Sequence, residues 1–161
     1  MLALGNILRA SKRIKAGLLA AEDFAASLGA ERGEDCIELL HARGQFLLEC
    51  AAVACVAIDC PFTFRDLPAL QKDFKLARRL GFNAKCVVFA EQVQIINKAL
   101  TPSDDEVHTA RELCVAYEQQ RGNQKVDITT WINAPTYNNA RRLLKRHEAF
   151  SEYLQFQSAS H

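Results

Sequence analysis

The 161-residue chain has no apolar run close to the ~20 residues that a membrane-spanning helix needs. Its first residues, MLALGNILRASKRIK, lack the basic start and long apolar centre of a secretory signal. Charge of one sign is scarcely in excess, with a formal net charge of +1. That leaves no electrostatic drive toward nucleic acid or an anionic membrane surface, so neither partner is expected. None of the six cysteines, Cys36, Cys50, Cys55, Cys60, Cys86 and Cys114, stands in a C-x-x-C pair. No two of the four histidines, His41, His108, His147 and His161, have metal-ligand spacing. A disulfide framework and a zinc site are therefore not expected. Reduced, buried thiols in a cytoplasmic or organelle-matrix protein are.

What is present is an ordinary globular composition, 49% hydrophobic and 24% charged, which excludes a disordered chain. "RIKAGLLA" (Arg13 to Ala20) is a short apolar run that stops at two acids, Glu22 and Asp23. It reads as a buried strand, and "DFAASLGAERG" after it as a short turn or helix ending near Gly33. In "DCIELLHARGQFLLECAAVAC", Ile37, Leu40, Phe46, Leu47 and Val53 recur at roughly helical spacing, which predicts an amphipathic helix on that face. "VACVAID" is a second apolar run ending at an acid, Asp59, and "CPFTF" is a proline-bearing loop. Asp66 as N-cap, Pro68 in the first turn and Gly81 at the end delimit a helix.

"AKCVVFA" (Ala84 to Ala90) reads as a third strand, and "EQVQIINKAL" as a short helix. In "TPSDDEVHTARELCVAYEQQRGN", Thr101 or Ser103 can cap, Asp104, Asp105 and Glu106 complement the helix dipole, and Gly122 closes the helix. "KVDITTWI" looks extended, and a last helix follows from Pro135. The basic run "RRLLKR" in it reads as solvated charge. Repeated strand–helix units imply an α/β fold with a parallel sheet. Three such strands form an incomplete open sheet, closer to the later part of a barrel than to a finished doubly wound domain.

Four stretches, in order, carry a family resemblance. "LLAAEDFAASLGAERGEDCIELLHAR" resembles a strand ending in G-A-E-D-L followed by a helix of E-L-L-Y-A-R type. "VAIDCPFTFRDLPAL" is similar to an A-I-D-G-P-F segment. "ARRLGFNAKCVVFAEQVQIINKALTPSDDEV" is similar to L-G-F-x-G-K-x-x-I-H-P-x-Q-I followed by N-x-x-F-x-P-S-x-x-E-V. "TTWINAPTYNNARRLL" resembles G-x-M-I-D-x-P. Together they resemble the C-terminal half of the citrate lyase beta-subunit and malyl-CoA lyase family, which includes the HpcH/HpaI-type aldolases. The resemblance implies a partial TIM (β/α)8 barrel over residues 1–100, supplying strands six to eight. It implies a helical capping extension over residues 101–161, with homo-oligomers as the expected assembly.

The implied chemistry is cleavage or formation of a carbon–carbon bond in a hydroxyacyl-CoA substrate, with Mg2+ holding a keto acid. Asp23 matches the family's metal ligand. From the residues alone, the favoured reading of Glu22 and Asp23 is as the acids of a helix start. The backbone around Ala21 to Asp23 could receive a substrate carboxylate, so Ala21 and Glu22 are placed with the substrate. Asp59 matches an Asp near the acyl-CoA site, and a strand-end acid bonded to loop amides is the other reading. Lys85 matches a family lysine, expected to be structural at the lower rim of the barrel.

Some positions depart from the pattern. Asn133 stands where the family has an Asp thought to act as acid or base, and an amide cannot take up a proton usefully at neutral pH. Asp127 is nearby, at the wrong offset. The I-H-P turn is Val88 to Ala90, and the Gly before A-E-D is Ala20. The family's second metal carboxylate, a Glu, would lie before Met1. The chain thus reads as a truncated lyase with impaired chemistry. The alternative is a non-catalytic barrel piece acting as a subunit or interaction module.

Overall fold

The computed structural model describes residues 4–122 and 131–159. The chain divides into two compact units, Met1–Leu100 and Thr101–His161. The first opens with helix α1 (Leu4–Arg9) and is organised around two strands, β1 (Ala16–Leu18) and β2 (Val56–Ile58). They pair in parallel, Ala16 opposite Val56 and Leu18 opposite Ile58. The crossover between them carries α2 (Ala21–Leu28), a 3-10 turn (Ile37–Leu39) and α3 (Leu40–Ala52). After β2 come a loop, α4 (Leu67–Leu80) and α5 (Ala90–Leu100). The result is helical with a small parallel sheet.

Local signals act where the sequence puts them. The Asp66 carboxylate accepts from Ala69 N at 2.7 Å, Pro68 occupies the first turn of α4, and Gly81 ends it at φ 123°. Asp66→Ala is expected to cost about 1 kcal/mol, read as a lower urea midpoint for the first unit. Gly29 ends α2 in the left-handed region at φ 67°, a conformation that L side chains avoid. The buried positions of α4, Leu70, Asp73, Phe74 and Ala77, follow i, i+3, i+4, i+7 spacing. They face a core with Leu39, Phe46, Phe62 and Phe82, in which Phe46 and Phe82 stack at 6.4 Å.

Three expectations need correction. The strand expected over Arg13–Ala20 is three residues long, and Leu18 is 48% exposed. A parallel strand is buried by neighbours on both edges and both faces, and among the described residues β1 pairs only with β2. The strand expected over Ala84–Ala90 is reduced to one parallel bridge, Asp59 to Lys85. Asp59 N donates to Ala84 O at 2.9 Å and Cys86 N donates to Asp59 O at 3.1 Å. Beyond that, the Gln92 side chain accepts from Val88 N and Phe89 N and takes those amides out of any ladder. Finally, the buried stripe of the helix after Cys36 runs through Leu39, Ala42, Arg43, Phe46 and Cys50, while Ile37 is 65% exposed. Of the face expected from spacing, only Phe46 is fully inside, because an arginine occupies the centre of the stripe.

The second unit pairs α6 (Asp104–Gly122) with α7 (Ala134–Ala159). Ser103 and Glu106 form a reciprocal capping box: Glu106 N donates to Ser103 Oγ at 3.2 Å, and Ser103 N donates to Glu106 Oε2 at 2.8 Å. Tyr117 stacks on Tyr137 at 4.2 Å, and Val107, Ala110 and Ala140 are buried. Gln120 closes the turn into α7, its amide both donating to Ile132 O and accepting from Ile132 N at 2.9 Å. Of the extended segment expected over 125–132, residues 125–130, Asp127 included, lie outside the described residues, and Trp131 and Ile132 belong to no strand. No helix among the described residues is long and apolar enough to cross a membrane.

Candidate functional site

The parallel register brings the C-terminal ends of β1 and β2 side by side. The first strand runs through buried Leu19 into α2, whose first turn contains Ala21, Glu22 and Asp23. Ala20 precedes it with no side-chain cap. The N–H groups of that turn have no intrahelical acceptor, and the two acids complement the positive end of the helix. Ala21 is fully buried, backbone included, so in this arrangement the exposed residues of the turn are Glu22 and Asp23. Asp23 is exposed, and its carboxylate has no hydrogen bond or ion pair among the described residues.

Glu22 differs from its neighbour. Its Oε1 accepts from Thr63 Oγ1 at 2.7 Å and from Arg32 Nε at 3.1 Å. The Thr63 bond leads in holding its carboxyl below the usual range; burial opposes the shift and Arg32 supports it. Arg32 also pairs with Glu38 and lies 5.7 Å from the Phe64 ring. Glu22 therefore ties the loop after β2 to the start of α2.

Behind these strand ends lies a buried ionic cluster. Arg43 of α3 grips Asp59 with two parallel bonds, Nε to Oδ1 at 2.9 Å and Nη2 to Oδ2 at 2.7 Å. Its Nη1 donates to Asp73 Oδ1 of α4 at 2.6 Å. Lys85 Nζ donates to Asp59 Oδ2, Asp73 Oδ2 and Cys60 O, each at 2.8 Å. All four side chains are buried, at most 1% exposed. Two cations and two carboxylates balance, and the bidentate fork is the strong form of such a pair. Asp59 thus presents no surface to an acyl-CoA in this arrangement: both its oxygens are spent inside. Lys85 is not at the lower rim. Its backbone pairs with Asp59, level with the end of β2, because the third segment begins where the second strand stops.

Burial works against the charge on Lys85, yet Asp59 and Asp73 outweigh it and raise its pKa. The Arg43 guanidinium is held charged in the same way. Burial likewise opposes ionisation of Asp73, and Lys85 and Arg43 reverse this, leaving its carboxyl below the ordinary range. A depressed acid adds stability that is complete above its unfolded pKa, ~3.9, and is lost as pH falls through the lower folded value. The urea midpoint is therefore expected to fall below about pH 4, with a shallower fall in Asp73→Asn, measured by circular dichroism across pH.

Among the described residues no three His, Cys, Asp or Glu side chains gather into a metal cluster. Mg2+ does not need one, since it is held by one or two carboxylates with water and substrate completing the octahedron. An exposed, otherwise uncommitted Asp23 fits one such ligand position. Asn133 belongs to the second unit. Its Oδ1 accepts from Thr136 N at 2.8 Å, so it is the N-cap of α7.

Residues 2–90, more than half of the chain, match the model of the family described as HpcH/HpaI aldolase/citrate lyase. The chain belongs to this family. It is 29% identical over 144 residues to the citrate lyase subunit beta of Leuconostoc mesenteroides, covering 87% of this chain and 48% of that protein. It is 27% identical over 135 residues to the mitochondrial citramalyl-CoA lyase of Rattus norvegicus, covering 81% of this chain and 40% of that one. The chain thus spans about half the length of the curated relatives it matches or less. The fold is shared with protein CitE from Mycobacterium tuberculosis, solved in complex with magnesium, acetoacetate and coenzyme A. That likeness has a TM-score of 0.71 at 24% identity, over 90% of this chain and 56% of CitE.

Arg43 and Gln92 were not singled out from the sequence as site residues. Gln92 is fully buried. Its Nε2 donates to Phe62 O at 2.9 Å and Phe64 O at 3.3 Å while its Oε1 holds the Val88–Phe89 amides, so one side chain fixes two loops at the strand ends. Both residues occupy lettered positions of the family motifs: Arg43 closes the E-L-L-Y-A-R pattern, and Gln92 is the Q of I-H-P-x-Q-I. The polar letters inside otherwise apolar motifs were the signal. At the Val88–Ala90 turn, where the family has I-H-P, Arg65 stacks 4.1 Å from the Phe89 ring and pairs with Glu91 at 3.0 Å.

Proposed function

We propose that the chain is part of a Mg2+-dependent carbon–carbon lyase acting on a hydroxyacyl-CoA of the citryl, malyl or citramalyl type. The observation that carries this reading is Asp23, the one carboxylate of Glu22, Asp23 and Asp59 that is exposed and uncommitted where β1 ends. Asp23 would hold the metal, and the N–H groups of the exposed Glu22 and Asp23 would receive the carboxylate of the keto acid. Mg2+ at that position would polarise the carbonyl of the keto acid and stabilise developing oxygen charge. Glu22 and the buried Asp59 act on the site by fixing the loop and strand ends around it. Residues 1–100 form the later strands of a (β/α)8 barrel and 101–161 a helical cap. Exposed apolar residues of the sheet, Leu18 and Val56, favour a homo-oligomer or a covering partner. The free thiols fit a reducing cytoplasm or organelle matrix.

The chemistry is impaired at Asn133, which cannot exchange a proton as the family Asp would. The test uses citramalyl-CoA and malyl-CoA with Mg2+ and a separately supplied N-terminal half of a citrate lyase beta subunit. Asn133→Asp is expected to raise cleavage by about 10²–10⁴-fold, the range of a positioned acid or base. The second reading, a non-catalytic subunit or interaction module, is favoured by the capping role of Asn133, which needs no proton. Absence of cleavage in both forms would establish that reading instead.

A further inference from the structure

Helix α3 ends in a Schellman turn. Cys55 N donates to Cys50 O at 2.9 Å and Ala54 N donates to Ala51 O at 3.2 Å, with Ala54 left-handed at φ 53°. In this motif the residue after the left-handed one packs against the residue five positions earlier. Here both are cysteines, and the Cys55 thiol lies 4.0 Å from Val56 O. Ala54 holds the turn without being glycine, in the left-handed region that L side chains rarely adopt. A cavity of about 260 Å3 opens against the pair, walled by Leu47, Cys50, Cys55, Val56, Gly81 and Asn83. Cys50 is fully buried and Cys55 half-buried.

We propose that Cys50 and Cys55 are a redox modification site, closing to a reversible intrachain disulfide by exchange with a small-molecule disulfide of the glutathione type. The Cys55 thiolate, reached through the cavity, attacks one sulfur of the reagent. The reagent's S–S bond breaks, a mixed disulfide forms on Cys55, and the departing thiolate takes up a proton. Cys50 then gives its proton to solvent and attacks the Cys55 sulfur, releasing the second small thiol. Two protein thiols are oxidised and one small disulfide is reduced to two thiols. The order follows from the environments: burial, and then the neighbouring Cys55, push the Cys50 thiol up to about 11, so it is the resolving partner. The second exchange is intramolecular, at an effective concentration in the millimolar range or above, so the mixed disulfide stays a minor species.

The test treats the full chain with graded ratios of oxidised to reduced glutathione, quenches with acid, alkylates free thiols and maps the tryptic peptide of residues 44–65. The expected product has lost two hydrogens, with Cys50 joined to Cys55 and Cys60 alkylated. Cys55→Ser abolishes it and Cys60→Ser retains it. A glutathionylated Cys55 that persists beside an alkylated Cys50 would overturn the proposal. So would a bond to Cys60, or modification confined to Cys86 and Cys114.

Discussion

Arg43→Met is expected to lower the stability of the first unit by about 3–5 kcal/mol, the cost of removing one partner from a buried ionic group. The substitution keeps much of the volume and removes three charge-assisted bonds, to Asp59 Oδ1, Asp59 Oδ2 and Asp73 Oδ1. Two buried carboxylates would then share only Lys85, leaving a net negative charge in a site with no water-facing surface. Against a total of about 5–15 kcal/mol for a typical domain, such a loss brings the unit close to unfolding. Replacing Arg43, Asp59, Asp73 and Lys85 together by apolar residues is expected to cost far less, because no orphaned charge remains. Urea denaturation followed by circular dichroism measures both. A loss below about 1 kcal/mol for Arg43→Met would mean that the cluster is hydrated or rearranges.

On the proposed reading, the cluster bears on function through the loop and turn that it holds. Asp59 ends β2, Lys85 also holds Cys60 O, and the loop that follows carries Thr63 to Glu22 in the first turn of α2. Gln92 pins the same loop from the other side through Phe62 O and Phe64 O. A chain of charge pairs and hydrogen bonds therefore connects the interior to the turn that presents Asp23. Asp59 is bonded from within, and of the two acids in that turn Asp23 is the one with no bond among the described residues.

What could be read from the sequence was local. The Asp66 cap, the Ser103–Glu106 box and the Gly81 stop are decided within a few residues, and each forms in the structure. The helix after Cys36 was foreseeable as an element, but its buried face was not, since that face is centred on Arg43. An arginine goes inside only when carboxylates distant in sequence meet it, here Asp59 and Asp73. The third strand failed for a related reason: the amides of Val88 and Phe89 have a stronger claimant in the Gln92 side chain. Apolar composition carries no record of that competition. The acids Glu22 and Asp23 look equivalent in sequence and are separated only by Thr63 and Arg32, which reach Glu22 alone.

The second large effect concerns the metal. Asp23→Asn keeps the shape and the place in the first turn of α2 while removing the negative charge that a hard cation requires. Loss of an outer-shell partner alone weakens metal binding by about 10–100-fold, so loss of the ligand is expected to weaken it by at least 10-fold. Glu31→Gln, at an exposed acid elsewhere on the surface, is the matched control and should leave binding unchanged. Calorimetric titration of Mg2+ into the chain and these two variants addresses the role of Asp23 most directly. Binding that weakens at least about 10-fold in Asp23→Asn and not in Glu31→Gln is the predicted result; equal binding in Asp23→Asn and the unaltered chain would contradict it.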